Sequence, residues 1–314
     1  MEKDLNLREA DKVEVTVLVD NYTDVFLPRT EMVKRPALQL NPPKTLLAEH
    51  GLSCLLKVYS GSEEHVVLLD TGISATCFFN NVNVLGVDLS KVESVVLSHG
   101  HLDHFGALVA FLKVAKKGIT LVLHPDAFLE RALNTPDSGR LTDFPVLDKA
   151  ALKETGAVLR EAKDASMLAS GLVLVSGEVE RVTDFEKGFP WSEAKINGQW
   201  VVDPFHDDQG VVVKLKRKGL VVIGGCSHAG IINTVKHAQK VARTDKVHAV
   251  LGGFHLTGPI FEPIIAPTID EMKKIGPDFV IPMHCTGWKA INRFAQEMPE
   301  QFLLNDVGAT YVFQ

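Results

Sequence analysis

The chain has 314 residues, 46% of them hydrophobic, and a formal charge of −6. That length supplies the core of one large α/β domain, and the acidic balance without any Lys/Arg-rich block argues against nucleic acid and anionic membrane as partners, leaving small molecules as substrates. Cys54, Cys77, Cys226 and Cys285 are scattered and form no CxxC pair, which disfavours a disulfide framework or a structural thiolate zinc site.

The opening stretch MEKDLNLREADKVEV is charged and has no apolar h-region. No segment reaches the about 18 uninterrupted apolar residues of a membrane span, so the expectation is a cytoplasmic protein with reduced thiols. Residues 13–19 (VEVTVLV) alternate as a strand does, and Pro28, Pro36, Pro42 and Pro43 then punctuate an irregular stretch. SCLLKVY at 53–59 and HVVLLD at 65–70 flank a polar turn and predict an antiparallel hairpin that ends on Asp70-Thr71-Gly72. After a strand at 95–98, Phe105, Leu108, Val109 and Leu112 recur at helical spacing, and Lys113, Lys116 and Lys117 follow where a helix C-terminus favours cations.

Between about 126 and 209 the pattern loosens around Pro136, Pro145, Pro190 and Pro204, which reads as a lid or insertion in a single domain spanning 1–314. The core resumes with the hairpin VVVKLK and GLVVIGG, a helix from Ile231 to about Arg243, and strand-to-helix units at 247–254 and 278–283. The expected architecture is α/β: two mixed sheets packed together with helices outside.

Four apolar runs in this series end on glycine, serine or proline and then histidine: VVLSHGH, VVIGGCSH, AVLGGFH and VIPMH. Imidazoles therefore gather at the carboxyl ends of strands, the edge where open α/β sheets bind ligands. Densest is Ser98-His99-Gly100-His101-Leu102-Asp103-His104. If the strand persists to His101, the period of two aims His99 and His101 the same way, within reach of one cation at roughly 2.0–2.1 Å. Asp103 and His104 then open a helix, where the dipole favours the carboxylate, and can reach a second cation. Imidazole and carboxylate suit zinc, iron and manganese alike. One or two divalent ions are expected, zinc foremost.

This His-x-His-x-Asp-His run after an apolar strand resembles the signature of the metallo-β-lactamase-fold hydrolases. LLDTG at 68–72 and His284 match in order. EHGLS at 49–53, LSHGHLDHFGAL at 97–108, GCSHAG at 225–230 and GGFHLTG at 252–258 resemble the branch named for dihydropterin-ribofuranosylaminobenzene phosphate synthase. The resemblance implies an αββα sandwich, His99 and His101 on one metal, and Asp103, His104 and His284 on another. It also implies that Asp70 orients a ligand histidine. Two positions depart from it. The loop that in the family supplies a third histidine reads PFHDDQG, with His206 as its candidate, and the strand end that in the family carries a bridging aspartate reads GGCSH. His228 is expected to supply the missing ligand there, with Cys226 as the rival.

For chemistry, the residues and resemblance together point to metal-bound hydroxide attacking an ester, lactone or phosphoester of a small molecule, with phosphorylated and heterocyclic compounds among the candidates. Asp103 is expected to accept the water's proton, and His255 to stabilise developing charge. The alternatives are condensation of a phosphorylated ribosyl-arylamine with a reduced pterin, a mononuclear iron oxygenase, and a non-catalytic ligand-binding protein. His50 is a candidate through its EHGLS context. His65, His124, His237 and His248 read as structural or solvent-facing, and Trp191, Trp200 and Trp288 as core or lid packing.

Overall fold

Alternation along Lys12–Val19 buries every second side chain, which places this strand with one face on a core. In the computed structural model, which describes residues 5–37, 39–40, 43–137, 139–141 and 144–314, it belongs to an eight-stranded sheet. The order there is Val158–Glu161, Thr120–Leu123, Ser94–Val96, Glu63–Leu69, Ser53–Ser60, Lys12–Val19, Thr310–Phe313 and Val33–Lys34. A seven-stranded sheet runs Ser166–Leu168, Val173–Val175, Val211–Leu215, Gly219–Gly224, Val247–Gly253 and Phe279–Met283, with Glu9–Ala10 beside Val211–Leu215. Both sheets mix parallel and antiparallel pairs.

Val15, Leu56 and Val67 of one sheet meet Val213, Ile223 and Leu251 of the other in a fully buried layer. The outer face of the first sheet is covered by helices Ala75–Leu85 and Leu108–Val114 through Phe78 and Phe111. Helices Ile231–Ala242, Ile265–Ile275 and Trp288–Glu297 cover the second through Val235, Ile269 and Phe294. This is the four-layered αββα arrangement expected, and among the described residues no helix is long and apolar enough to cross a membrane. Pro42 lies outside the described residues.

Residues 126–209 divide between core and cover. Val158–Glu161 extends one sheet and Ser166–Leu168 and Val173–Val175 edge the other. Arg131–Thr135, Gly139–Leu141, Ser192–Ile196 and Gln199–Val202 form a separate four-stranded sheet. Two local expectations are corrected. The strand at 95–98 stops at Val96, because Ser98 gives its backbone N–H to the Asp70 carboxylate at 2.7 Å instead of to a neighbouring strand. Trp288 packs in neither core nor lid: it opens the last helix and is 71% exposed.

Candidate metal centre

Strands Lys12–Val19, Glu63–Leu69, Ser94–Val96, Gly219–Gly224, Val247–Gly253 and Phe279–Met283 all end at one edge of the sandwich. The residues that follow them are Asp20 and Asn21, Asp70, the 97–104 loop, Cys226 and His228, His255, and His284. Several residues at this edge adopt positive φ without being glycine, Asp70 at 55°, Ser227 at 56°, His255 at 46° and His284 at 48°, as does Phe205 at 50° in the covering segment. Such backbone costs of order 1–3 kcal/mol per residue and persists where surrounding structure imposes it. Gly100 is required by space, since a Cβ there would lie 2.2 Å from the Ala127 carbonyl oxygen.

His99 and His101 lie in a loop and not on a strand, so the period of two does not align them. The loop does so instead, with their ring centroids 4.6 Å apart. His228 completes a set of three with them. Its Nε2 is 3.2 Å from Nε2 of His99, close to the about 3.4 Å edge of a tetrahedron with arms of roughly 2.0–2.1 Å. Burial holds His99 and His228 well below the usual imidazole range, and it lowers His101 to about 3. All three are therefore neutral at pH 7, the form that ligates metals.

Asp103, His104, Cys226 and His284 make a second set. His104 Nε2 is 3.1 Å from Cys226 Sγ, and His284 Nε2 is 3.1 Å from Asp103 Oδ2. That last pair is close but misaligned, so the buried His284 Nε2 has no hydrogen-bond partner. Burial opposes the charged forms of Asp103 and His104, yet their mutual attraction wins: Asp103 is held well below the carboxylate range and His104 is raised to about 9. The far nitrogens are braced, His104 Nδ1 by Asp70 at 2.7 Å and His284 Nδ1 by Asn21 at 3.0 Å, as ligand histidines are. A misaligned buried nitrogen, a thiol and a carboxylate converging on one point fit a divalent cation.

Cys226 and His228, treated as rivals in the sequence, thus go to different sets. Cys226, His228 and His255 also lie within ligand distance of one another, but they share two members with the main sets. His206 is not brought in: it is half-exposed and pairs with Asp126 at 3.2 Å. Its neighbour Asp207 turns inward and accepts the Gly100 N–H at 2.8 Å. His50 stands at the rim, 3.4 Å from Asp103 and largely exposed. His65, His124 and His248 pair with Glu93, Glu178 and Asp278, and His237 lies beside the Ser176 carbonyl, all away from both sets. Sequence reasoning missed Arg131, Phe205, Asp207 and Cys285. Cys285 lines the cavity and its Sγ reaches the Cys226 carbonyl at 3.6 Å.

Above both sets opens a cavity of about 460 Å³, mostly apolar, walled by Leu133, Phe144, Phe189 and Phe261 and floored by His101 and Asp103. The shape suits a small molecule with a flat or apolar part held against a polar reaction centre.

The family model of the metallo-beta-lactamase superfamily matches residues 53–224. The 7,8-dihydropterin-6-methyl-4-(beta-D-ribofuranosyl)-aminobenzene-5'-phosphate synthase of Methanocaldococcus jannaschii is 30% identical over 301 residues, 95% of this chain and 96% of its own length. A second, uncharacterized protein of that organism is 29% identical over 257 residues, 81% of this chain and 90% of its own. Among solved structures, a metal-dependent hydrolase of the beta-lactamase superfamily superposes with a TM-score of 0.73 at 24% identity, covering 96% of this chain and 98% of its own.

Proposed function

The chain belongs to the metallo-beta-lactamase superfamily, and from that premise we propose that it is a metal-dependent enzyme cleaving an ester, lactone or phosphoester bond of a small molecule. The observation that carries this reading is the pair of adjoining ligand sets on the floor of one apolar cavity. His99, His101 and His228 would hold one divalent ion, and Asp103, His104, Cys226 and His284 the other. Zinc is favoured, since a thiol joins the imidazoles. Such ions, when bound, lower the pKa of water toward neutrality and polarise a carbonyl or phosphoryl oxygen.

The protein's own groups do the rest. Asp103 is ionised and faces the cavity, placed to accept a proton at its carboxylate from a water or hydroxyl there. His255 also lines the cavity, with a buried Nδ1 that has no partner, and would steady negative charge on the substrate. The apolar walls exclude water from around the reacting bond. A ligand-binding protein without turnover is the weaker alternative, because Cys226 and His228 each complete a set of candidate ligands. Two ligand sets likewise count against a mononuclear oxygenase.

A second reading is a synthase joining a phosphorylated ribosyl-arylamine to a reduced pterin. It is favoured by the 30% identity to the synthase over 95% of the chain, and the aromatic walls would suit a flat heterocycle. One preparation tests both. Protein loaded in turn with zinc, iron and manganese is offered phosphomonoesters, phosphodiesters and lactones, and separately the arylamine and pterin pair, with products read by mass spectrometry. Hydrolysis that Asp103→Ala abolishes supports the first reading. Two-ion protein that joins the pair but hydrolyses nothing replaces it with the second.

A further inference from the structure

Arg131 opens the first strand of the small covering sheet and is only 6% exposed. Its guanidinium is fully engaged. Nε donates to Asp203 Oδ2 at 2.8 Å, and Nη2 donates to both oxygens of Asp207 at 2.8 Å. Nη1 donates to the carbonyl of Gly100 at 3.3 Å, and Asp207 Oδ2 accepts the Gly100 N–H at 2.8 Å. The two peptide groups of the residue between His99 and His101 are thus held by one ion pair, one through its N–H and the other through its C=O.

The same segment reaches the third histidine. Asp203 Oδ1 accepts the backbone N–H of Phe205 at 2.8 Å, and the Phe205 ring stacks on His228 at 4.2 Å with 13° between planes. Phe205 also meets His101 edge-on at 5.7 Å. A planar guanidinium that holds Asp203 through Nε and both oxygens of Asp207 through Nη2 fixes direction as well as distance, which a lysine ammonium cannot do. By contrast, the partners of His104 and His284 are Asp70 and Asn21; neither touches this ion pair, and the one link across is Ser98 Oγ, 2.6 Å from Asp70 and 3.0 Å from His99 Nδ1.

We propose that Arg131 is a positioning residue: through Asp207 and Gly100 it sets the geometry of His99 and His101, and so governs cation affinity at the His99–His101–His228 set without governing the other. The inference rests on the reading that both sets hold ions. Coupling between cover and centre follows from it, because the strand that presents Leu133 to the cavity begins at the residue that fixes the ligand loop.

The test is zinc binding to the metal-free full chain, measured by chelator competition, with crystals of each variant used to place the ions by anomalous scattering. Asp207→Asn and Arg131→Met are expected to raise the dissociation constant at the three-histidine set by about 10–100-fold, the usual effect of losing a partner behind metal ligands. The other set should stay within about twofold of wild type on the same argument. Arg131→Lys restores the charge without the fork and should not rescue. Unchanged affinity in a folded variant, equal weakening at both sets, or rescue by lysine each overturns the proposal. Asp207→Asn keeps the side chain's shape, so it carries the test if Arg131→Met does not fold. Wild-type protein with no ion at the three-histidine set would instead overturn the dinuclear reading beneath it.

Discussion

His104 and His284 are braced from inside the sandwich, whereas the His99–His101–His228 set is braced mainly from the segment that covers the cavity, His99 alone also meeting the core-side Ser98 Oγ at 3.0 Å. The first set leans on Asp70 and Asn21, at the ends of core strands. Behind His284 stands the buried Asp20, which accepts its backbone N–H at 2.8 Å. The second set leans on Arg131, Phe205 and Asp207. The difference separates two kinds of precision: one inherited from the fold, the other supplied by chain that also walls the cavity.

The largest effect should come from breaking the core side. Asp70 accepts from Ser98 N at 2.7 Å, Ser98 Oγ at 2.6 Å and His104 Nδ1 at 2.7 Å, all buried. Asp70→Ala leaves those donors unpaired, with an expected loss of about 3–5 kcal/mol in urea denaturation. An ion count should fall with it, at the core-held set. Stability near wild type would show that the core does not carry this half of the centre.

Next comes Asp103→Ala, which removes the proposed proton acceptor together with one ligand of the core-held set. Turnover should fall by about 10²–10⁴-fold, the span of a lost proton acceptor, while the melting temperature stays near that of the wild type. Retained turnover would take Asp103 out of the chemistry.

A smaller, pH-dependent effect concerns Glu186, the other tie between covering segment and core. It accepts from the backbone of Ile232 and Asn233 at 2.9 and 2.8 Å, at the start of the helix that follows Cys226 and His228. Burial pushes its carboxyl up to about 7 against those bonds. The folded protein therefore keeps a proton that the unfolded chain, at 4.5, has already lost. Stability from this group is complete below about pH 4.5 and declines until about pH 7, by roughly 1–3 kcal/mol. Melting curves from pH 4 to 8 should show that slope, and Glu186→Gln should flatten it.

The smallest effect is expected at His206, which points outward beside Asp207. His206→Ala should change zinc affinity by less than about twofold, the scale of a surface substitution. A tenfold loss would return this histidine to the centre.

Much of this was open to reading in the chain. Strand periodicity located the sheets, because burial on one face forces alternation, and four strand ends marked with histidine located the edge where the candidate ligand sets gather. His99, His101, Asp103 and His104 are legible because chain connectivity alone keeps them within a few residues. Hairpin 53–70 and helix 231–242 fell within a residue or two of expectation. The assignment of Cys226 to one set and His228 to the other was not legible. It depends on how a loop with positive φ at Ser227 turns two nearby side chains in different directions.

The amino-acid sequence by itself determined the layers, the edge at which the histidines gather, and the residue types found there, since these follow from local periodicity and from donor chemistry. Only the tertiary structure decided which distant groups complete each set and what holds them in place. Arg131 and Asp207 stand 76 positions apart, and no local pattern encodes that a guanidinium from one and a carboxylate from the other will close on the same glycine. That contact exists because folding brings the cover down onto the loop, and a buried charge there must find its partner.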